Sequence, residues 1–65
     1  MDIRDVKFNL NRKVRHRPDG TIYLLKACII RKNEKTGKFY YQAELREITH
    51  DGYIVYCELG DIEEE

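Results

Sequence analysis

Cys28, Cys57, His16 and His50 are the side chains of this sequence best suited to ligate a metal or act as a nucleophile. Zinc chemistry asks for such ligands in close pairs, Cys-x₂₋₄-Cys or His-x₃₋₅-His, and no two of these four have that spacing. The sequence therefore predicts no metal and no cofactor. Cys28 and Cys57 fall on predicted strands separated by a third, roughly 9–10 Å apart and beyond disulfide reach. Free thiols are expected, with Cys57 a small core residue. His50 and Asp51 adjoin, but Asp51-Gly52 is what a turn requires for backbone reasons. The chain has no serine and no Gly-rich phosphate loop. No catalytic residue is assigned and a non-enzyme is expected.

The other chemistry is electrostatic. Arg12, Lys13, Arg15 and Arg17 alternate with Val14 and His16 at strand spacing, which suits contacts to an anionic backbone. Tyr23 is placed on the same face, where it would stack on a base. Tyr40 and Tyr56 fall on the expected outer face and form a second candidate, an aromatic surface for bases or for a cationic side chain. Plainer readings compete with both. Cations on an edge strand also deter aggregation, and tyrosines cover small cores with the hydroxyl in water.

These residues must be positioned by strands. Three turn signals, Pro18-Asp19-Gly20, Asn33 to Gly37 and His50-Asp51-Gly52, separate segments rich in Ile, Val, Tyr, Phe and Leu. A three-residue loop at Pro18 to Gly20 sets Val14 opposite Leu24 and His16 opposite Ile22. A five-residue loop at Asn33 to Gly37 sets Leu25 opposite Leu45, Ala27 opposite Ala43 and Ile29 opposite Tyr41. A three-residue loop at His50 to Gly52 sets Leu45 opposite Cys57 and Ala43 opposite Leu59. Thr21 to Lys32 is apolar on both faces in turn, as a bent or bulged strand would be. Val6 to Leu10 is expected to add a strand with Val6, Phe8 and Leu10 inward.

The fold class is all-β: a small antiparallel meander of four or five strongly bent strands, as in an SH3-like barrel. The alternative is an open sheet completed by dimerisation. Residues 1–60 are read as one barrel domain and residues 61–65 as an acidic C-terminal tail. At this length a domain buries only ~60% of its unfolded surface. No apolar run approaches the ~20 residues that span a membrane. Met1-Asp2-Ile3-Arg4-Asp5 lacks the apolar stretch of an export signal, so the cytoplasm is the expected compartment.

Charge is unevenly divided. Residues 1–32 hold nine Lys/Arg against three acids, and residues 33–65 hold three against nine, so +6 faces −6 within a neutral whole. The basic half can meet an anionic partner, or the acidic tail can answer it.

Phe39-Tyr40-Tyr41-Gln42-Ala43-Glu44-Leu45, followed by Asp51-Gly52-Tyr53-Ile54-Val55-Tyr56 and Leu59-Gly60-Asp61, resembles the central hairpin of Tudor-type SH3-like domains. The family tends to place Asp, an aromatic and Gly where this chain has Leu59-Gly60-Asp61. The resemblance implies a small barrel and offers Tyr40, Tyr41 and Tyr56 as cage residues. The whole chain is also similar to short proteins on mobile elements of Gram-positive gut bacteria, which implies an accessory role near DNA transfer or its regulation.

The expected function is a small non-enzymatic binding module. Its partner is nucleic acid, or an acidic protein surface, reached by Arg12, Lys13, Arg15 and Arg17 with Tyr23 and without sequence specificity. The alternative is a protein-interaction or self-assembly module, a homodimer for instance, in which basic and acidic halves complement each other. No membrane partner is expected.

Overall fold

The computed structural model describes residues 1–49 and 52–65. Among these described residues, five antiparallel strands form one sheet: β1 (Lys13–His16), β2 (Ile22–Lys32), β3 (Phe39–Glu47), β4 (Ile54–Glu58) and β5 (Ile62–Glu64). Their order is β4-β3-β2-β1-β5, so the last strand returns to pair with the first. The sheet stays open between β4 and β5 and is not closed into a barrel. No described helix is long and apolar enough to cross a membrane.

Two of the hairpin loops are built alike. Gly20 N–H donates to the His16 carbonyl and Gly37 N–H to the Asn33 carbonyl, each glycine with φ +72°. His16 N–H then bonds Thr21 C=O, and Asn33 N–H bonds Lys38 C=O. Each loop thus encloses four residues, the last one left-handed, a conformation that costs a side chain about 1–2 kcal/mol and glycine almost nothing. The expected loops had three and five residues. That difference moves β1 by one place against β2. Val14 lies opposite Tyr23, and Leu24 lies opposite Lys13.

β2 is bulged at Lys26, as its two-faced sequence suggested. Leu25 pairs with Leu45 as expected, but Ala27 then pairs with Glu44 and Cys28 with Ala43. The extra residue switches the inward parity from Tyr23 and Leu25 to Cys28 and Ile30. Between β3 and β4, Leu45 pairs with Val55 and Ala43 with Cys57. Glu47 N–H bonds Tyr53 C=O, which leaves five residues between them instead of three. An odd count preserves parity, so the inward set is the expected one. His50 and Asp51 of that loop reading lie outside the described residues.

The N-terminal segment is helical where a strand was expected. A 3₁₀ turn, Ile3–Asp5, leads into α1 (Val6–Asn9). Asp2 caps the turn, its carboxylate accepting from Arg4 N–H at 2.8 Å. Val6 is buried, whereas Phe8 and Leu10 are 65% and 41% exposed. The inward pair is therefore Val6 and Asn9, three residues apart, as on a helix.

The core joins Val6, Val14, Tyr23, Leu25, Ala43, Leu45, Leu59 and Ile62, with Met1, Cys28, Val55 and Cys57 packed against it. Leu59 comes from a second 3₁₀ turn, Leu59–Asp61, and Ile62 from β5. The acidic segment is therefore an edge strand of the domain rather than a tail. Asp61 and Glu63 flank the fully buried Ile62, and Asn9 Nδ2 donates to both Asp5 C=O and Glu64.

Candidate functional site

Lys13 and Arg15 stand on the sheet face opposite the core, because Val14 between them points inward. Lys13 and Arg46 both pair with Leu24 from its two sides. They thus share one cross-strand row, about 10 Å apart at two strand spacings. Arg15 pairs with Ile22 on β2 and with Glu63 on β5. Arg46 entered no sequence reading of the site, since it lies in the acidic half of the chain. Only the register brings it to the stripe.

The other stripe residues have different surroundings. Arg12 sits in the turn before β1, where its carbonyl accepts from Leu25 N–H at 3.0 Å. Arg17 sits in the loop after β1. Its guanidinium donates to Gly60 C=O, and its N–H donates to Asp61 C=O at 2.8 Å, so it braces the second 3₁₀ turn. Tyr23 is only 7% exposed, packs in the core and meets the His16 ring edge-on at 6.3 Å. Its shared face with the stripe followed from the register that the four-residue loop displaces.

Other aromatics take its place on the outer face. Tyr56 pairs with Glu44 and Tyr40 with Arg31, and both tyrosines are exposed. Tyr56 Oη donates to Glu44 at 3.0 Å. That bond to a carboxylate, and the carboxylate's charge, push the Tyr56 phenol above its ordinary value. Arg31 Nε donates to Gln42 at 2.6 Å. Ile22, Leu24, Ala27 and Ile29 form a half-buried aliphatic line down β2 beneath these groups. Tyr41 belongs to the opposite parity. It meets Tyr40 only at the sheet end, where both border a shallow hollow of about 430 Å³ with Met1, Asp2, Ile3, Glu58, Leu59 and Gly60. Tyr56 is not part of that hollow.

The acidic strand adjoins the stripe. Glu63 Oε1 lies 3.8 Å from Arg15 Nη1, both side chains about half exposed at 45% and 49%. Such a pair is worth about 0–1 kcal/mol and yields readily to a competing anion. His16 Nδ1 lies 3.0 Å from Asp19 Oδ1, at an angle that leaves the nitrogen without a well-aligned partner.

Cys28 and Cys57 pair with Ala43 from opposite sides, so the third strand separates them as expected, and both are free. Burial raises both thiols, and for Cys57 the carboxylates of Asp61, Asp19 and Glu58 add to it. Raised thiols are poor nucleophiles and poor ligands at neutral pH. Among the described residues, no three His, Cys, Asp or Glu side chains form a group that would hold a metal ion.

In comparisons with known proteins, no family model, no curated protein and no solved structure matches this chain.

Proposed function

We propose that this protein is a small non-enzymatic module that binds single-stranded nucleic acid on the outer face of its sheet, without sequence specificity. The observation that carries the reading is that Lys13, Arg15 and Arg46 share one solvent-facing surface with Tyr56 and, farther along the sheet, with Tyr40. Cations along a groove-free sheet hold phosphates, and exposed rings offer stacking worth about 1–3 kcal/mol per base. Single strands are preferred because their bases can reach Tyr56, whereas a duplex keeps its bases stacked inside. Among the described residues there is no long helix to enter a major groove, so phosphate and stacking contacts dominate.

For the scaffold we retain the SH3-like resemblance. A meander whose fifth strand returns to the first, with a bulged second strand, is the plan of a small barrel left open between β4 and β5. An accessory role near DNA transfer, implied by the likeness to mobile-element proteins, suits such a module, and we place it in the cytoplasm.

The test is fluorescence anisotropy with labelled single- and double-stranded DNA and RNA at low and physiological salt. Single strands are expected to bind at low salt and to weaken steeply as salt rises. Replacing Lys13, Arg15 and Arg46 together by Ala is expected to lower the logarithmic salt slope by about 2, at about 0.7 per phosphate contact. Tyr56→Leu is expected to weaken binding with the slope unchanged. Loss of the salt effect with no Tyr56 effect would instead favour an acidic protein surface as the partner. Absence of binding at low salt overturns the proposal.

A further inference from the structure

β4 and β5 are the two outermost strands of the sheet, and they differ in kind. β5 is three residues long and carries Glu63 and Glu64, with Glu65 beyond it. Two such strands side by side would set carboxylate against carboxylate, a common guard against edge pairing. β4 reads Ile54-Val55-Tyr56-Cys57-Glu58, with no lysine or proline, and Ile54 and Tyr56 are 50% and 53% exposed.

The direction of its free backbone groups follows from β3. Glu47 N–H donates to Tyr53 C=O, so Glu47 and Tyr53 form a hydrogen-bonded pair. Antiparallel ladders alternate, which makes Leu45–Val55 and Ala43–Cys57 the next such pairs. The N–H and C=O groups of Ile54, Tyr56 and Glu58 therefore point away from the sheet.

We propose that β4 pairs antiparallel with β4 of a second copy about a two-fold axis at Tyr56, joining two sheets into one. In this register Ile54 lies opposite Glu58 of the second copy and Tyr56 opposite its own equivalent. Each is a hydrogen-bonded pair, so all three outward-facing residues are used. On the inner side Val55 meets Cys57 of the second copy, extending the half-buried row beside Ala43. On the outer side the row Lys13, Leu24, Arg46, Ile54 continues into Glu58 of the second copy. A basic row thus ends on a carboxylate, and symmetry repeats the match. No like charges face each other at the axis.

Sedimentation equilibrium tests this directly. The wild-type chain is expected to be a dimer that persists in high salt, because backbone pairing and apolar contact hold it. Tyr56→Lys puts two ammonium groups at the axis while leaving each lysine beside its own Glu44. It is expected to be monomeric with the wild-type circular dichroism. Tyr56→Cys, with Cys28 and Cys57 replaced by Ala, is expected to cross-link under mild oxidation, since the paired Cα atoms are about 5.5 Å apart and within disulfide reach. Tyr40→Cys in the same background is expected not to. A wild-type monomer at millimolar concentration overturns the proposal, as does a Tyr56→Lys dimer. A dimer that salt dissociates also overturns it and points to pairing of the basic and acidic halves.

Discussion

Asp2 fixes the start of the chain with one carboxylate. It accepts from Arg4 Nε and Nη2, both at 3.1 Å, and from Arg4 N–H at 2.8 Å. The side-chain bond first, and the backbone bond second, bring its pKa down from 3.8 to about 2. Asp19 is lowered as well, first by Thr21 N–H and then by His16. A carboxylate lowered in the folded state contributes stability that is present above its unfolded pKa and lost as pH falls through its folded value. These two groups are therefore expected to leave thermal stability level from about pH 7 to pH 5 and to reduce it between about pH 4 and pH 2. Asp2→Asn keeps a good capping side chain while removing the titration, so it should flatten part of that acid limb in thermal melts. Carboxyl NMR should find Asp2 titrating near 2. A value in the ordinary carboxylate range would mean that the Arg4 pairing is not formed in solution.

At the level of elements, the Lys26 bulge decides how β2 serves two neighbours. Before it, Tyr23 lies opposite Val14 on β1 and Leu25 opposite Leu45 on β3; after it, Cys28 lies opposite Ala43 on β3. Deleting Lys26 would restore strict alternation along β2 and straighten it. Hydrogen exchange is then expected to show the β2–β3 hairpin still protected, with β1 and β5 losing protection as Val14 and Ile62 come away from the core. Equal protection of all strands would show that the bulge is dispensable. The bulge was legible as a conflict of parity between Ile22, Leu24 and Leu25, Ala27. Its position was not, because any residue from Leu24 to Ala27 resolves the same conflict on paper. Loop lengths were hidden for a related reason. Gly20 and Gly37 announce left-handed positions, but a three-residue and a four-residue loop place glycine last in the same way. The single place lost on β1 moved Tyr23 from the basic face into the core. Val6-Lys7-Phe8-Asn9-Leu10 alternates like a strand, and only the Asp2 cap, five residues upstream of Lys7, marks the helical turn. Arg46 was out of reach for a different reason, since a register between strands brought it beside Lys13, and no local pattern does so.

Across the whole molecule, the +6 and −6 halves are folded against each other. β5 lies along β1, Arg15 meets Glu63, and the Met1 amino group donates to the Leu59 and Ile62 carbonyls at 3.0 and 2.6 Å. Two effects of β5 can be separated by size. Ile62 is fully buried, and Ile62→Ala is expected to cost about 2–5 kcal/mol. A domain of this length holds about 3–10 kcal/mol in total, so this variant should be largely unfolded or melt far below the wild type. Glu63 is only half-exposed, but its pair with Arg15 contributes about 0–1 kcal/mol, so Glu63→Gln should leave the melt within a few degrees. Its effect should appear in binding. A carboxylate 3.8 Å from Arg15 competes with a phosphate for the same guanidinium, and removing it adds one unit of positive charge to the outer face. On the nucleic-acid reading, Glu63→Gln is therefore expected to tighten single-strand binding severalfold at low salt and to steepen the salt slope, with the gain fading as screening grows. The same change with affinity unaltered at every salt concentration would mean that Arg15 does not touch the ligand, leaving Lys13 and Arg46 to carry the phosphate contact.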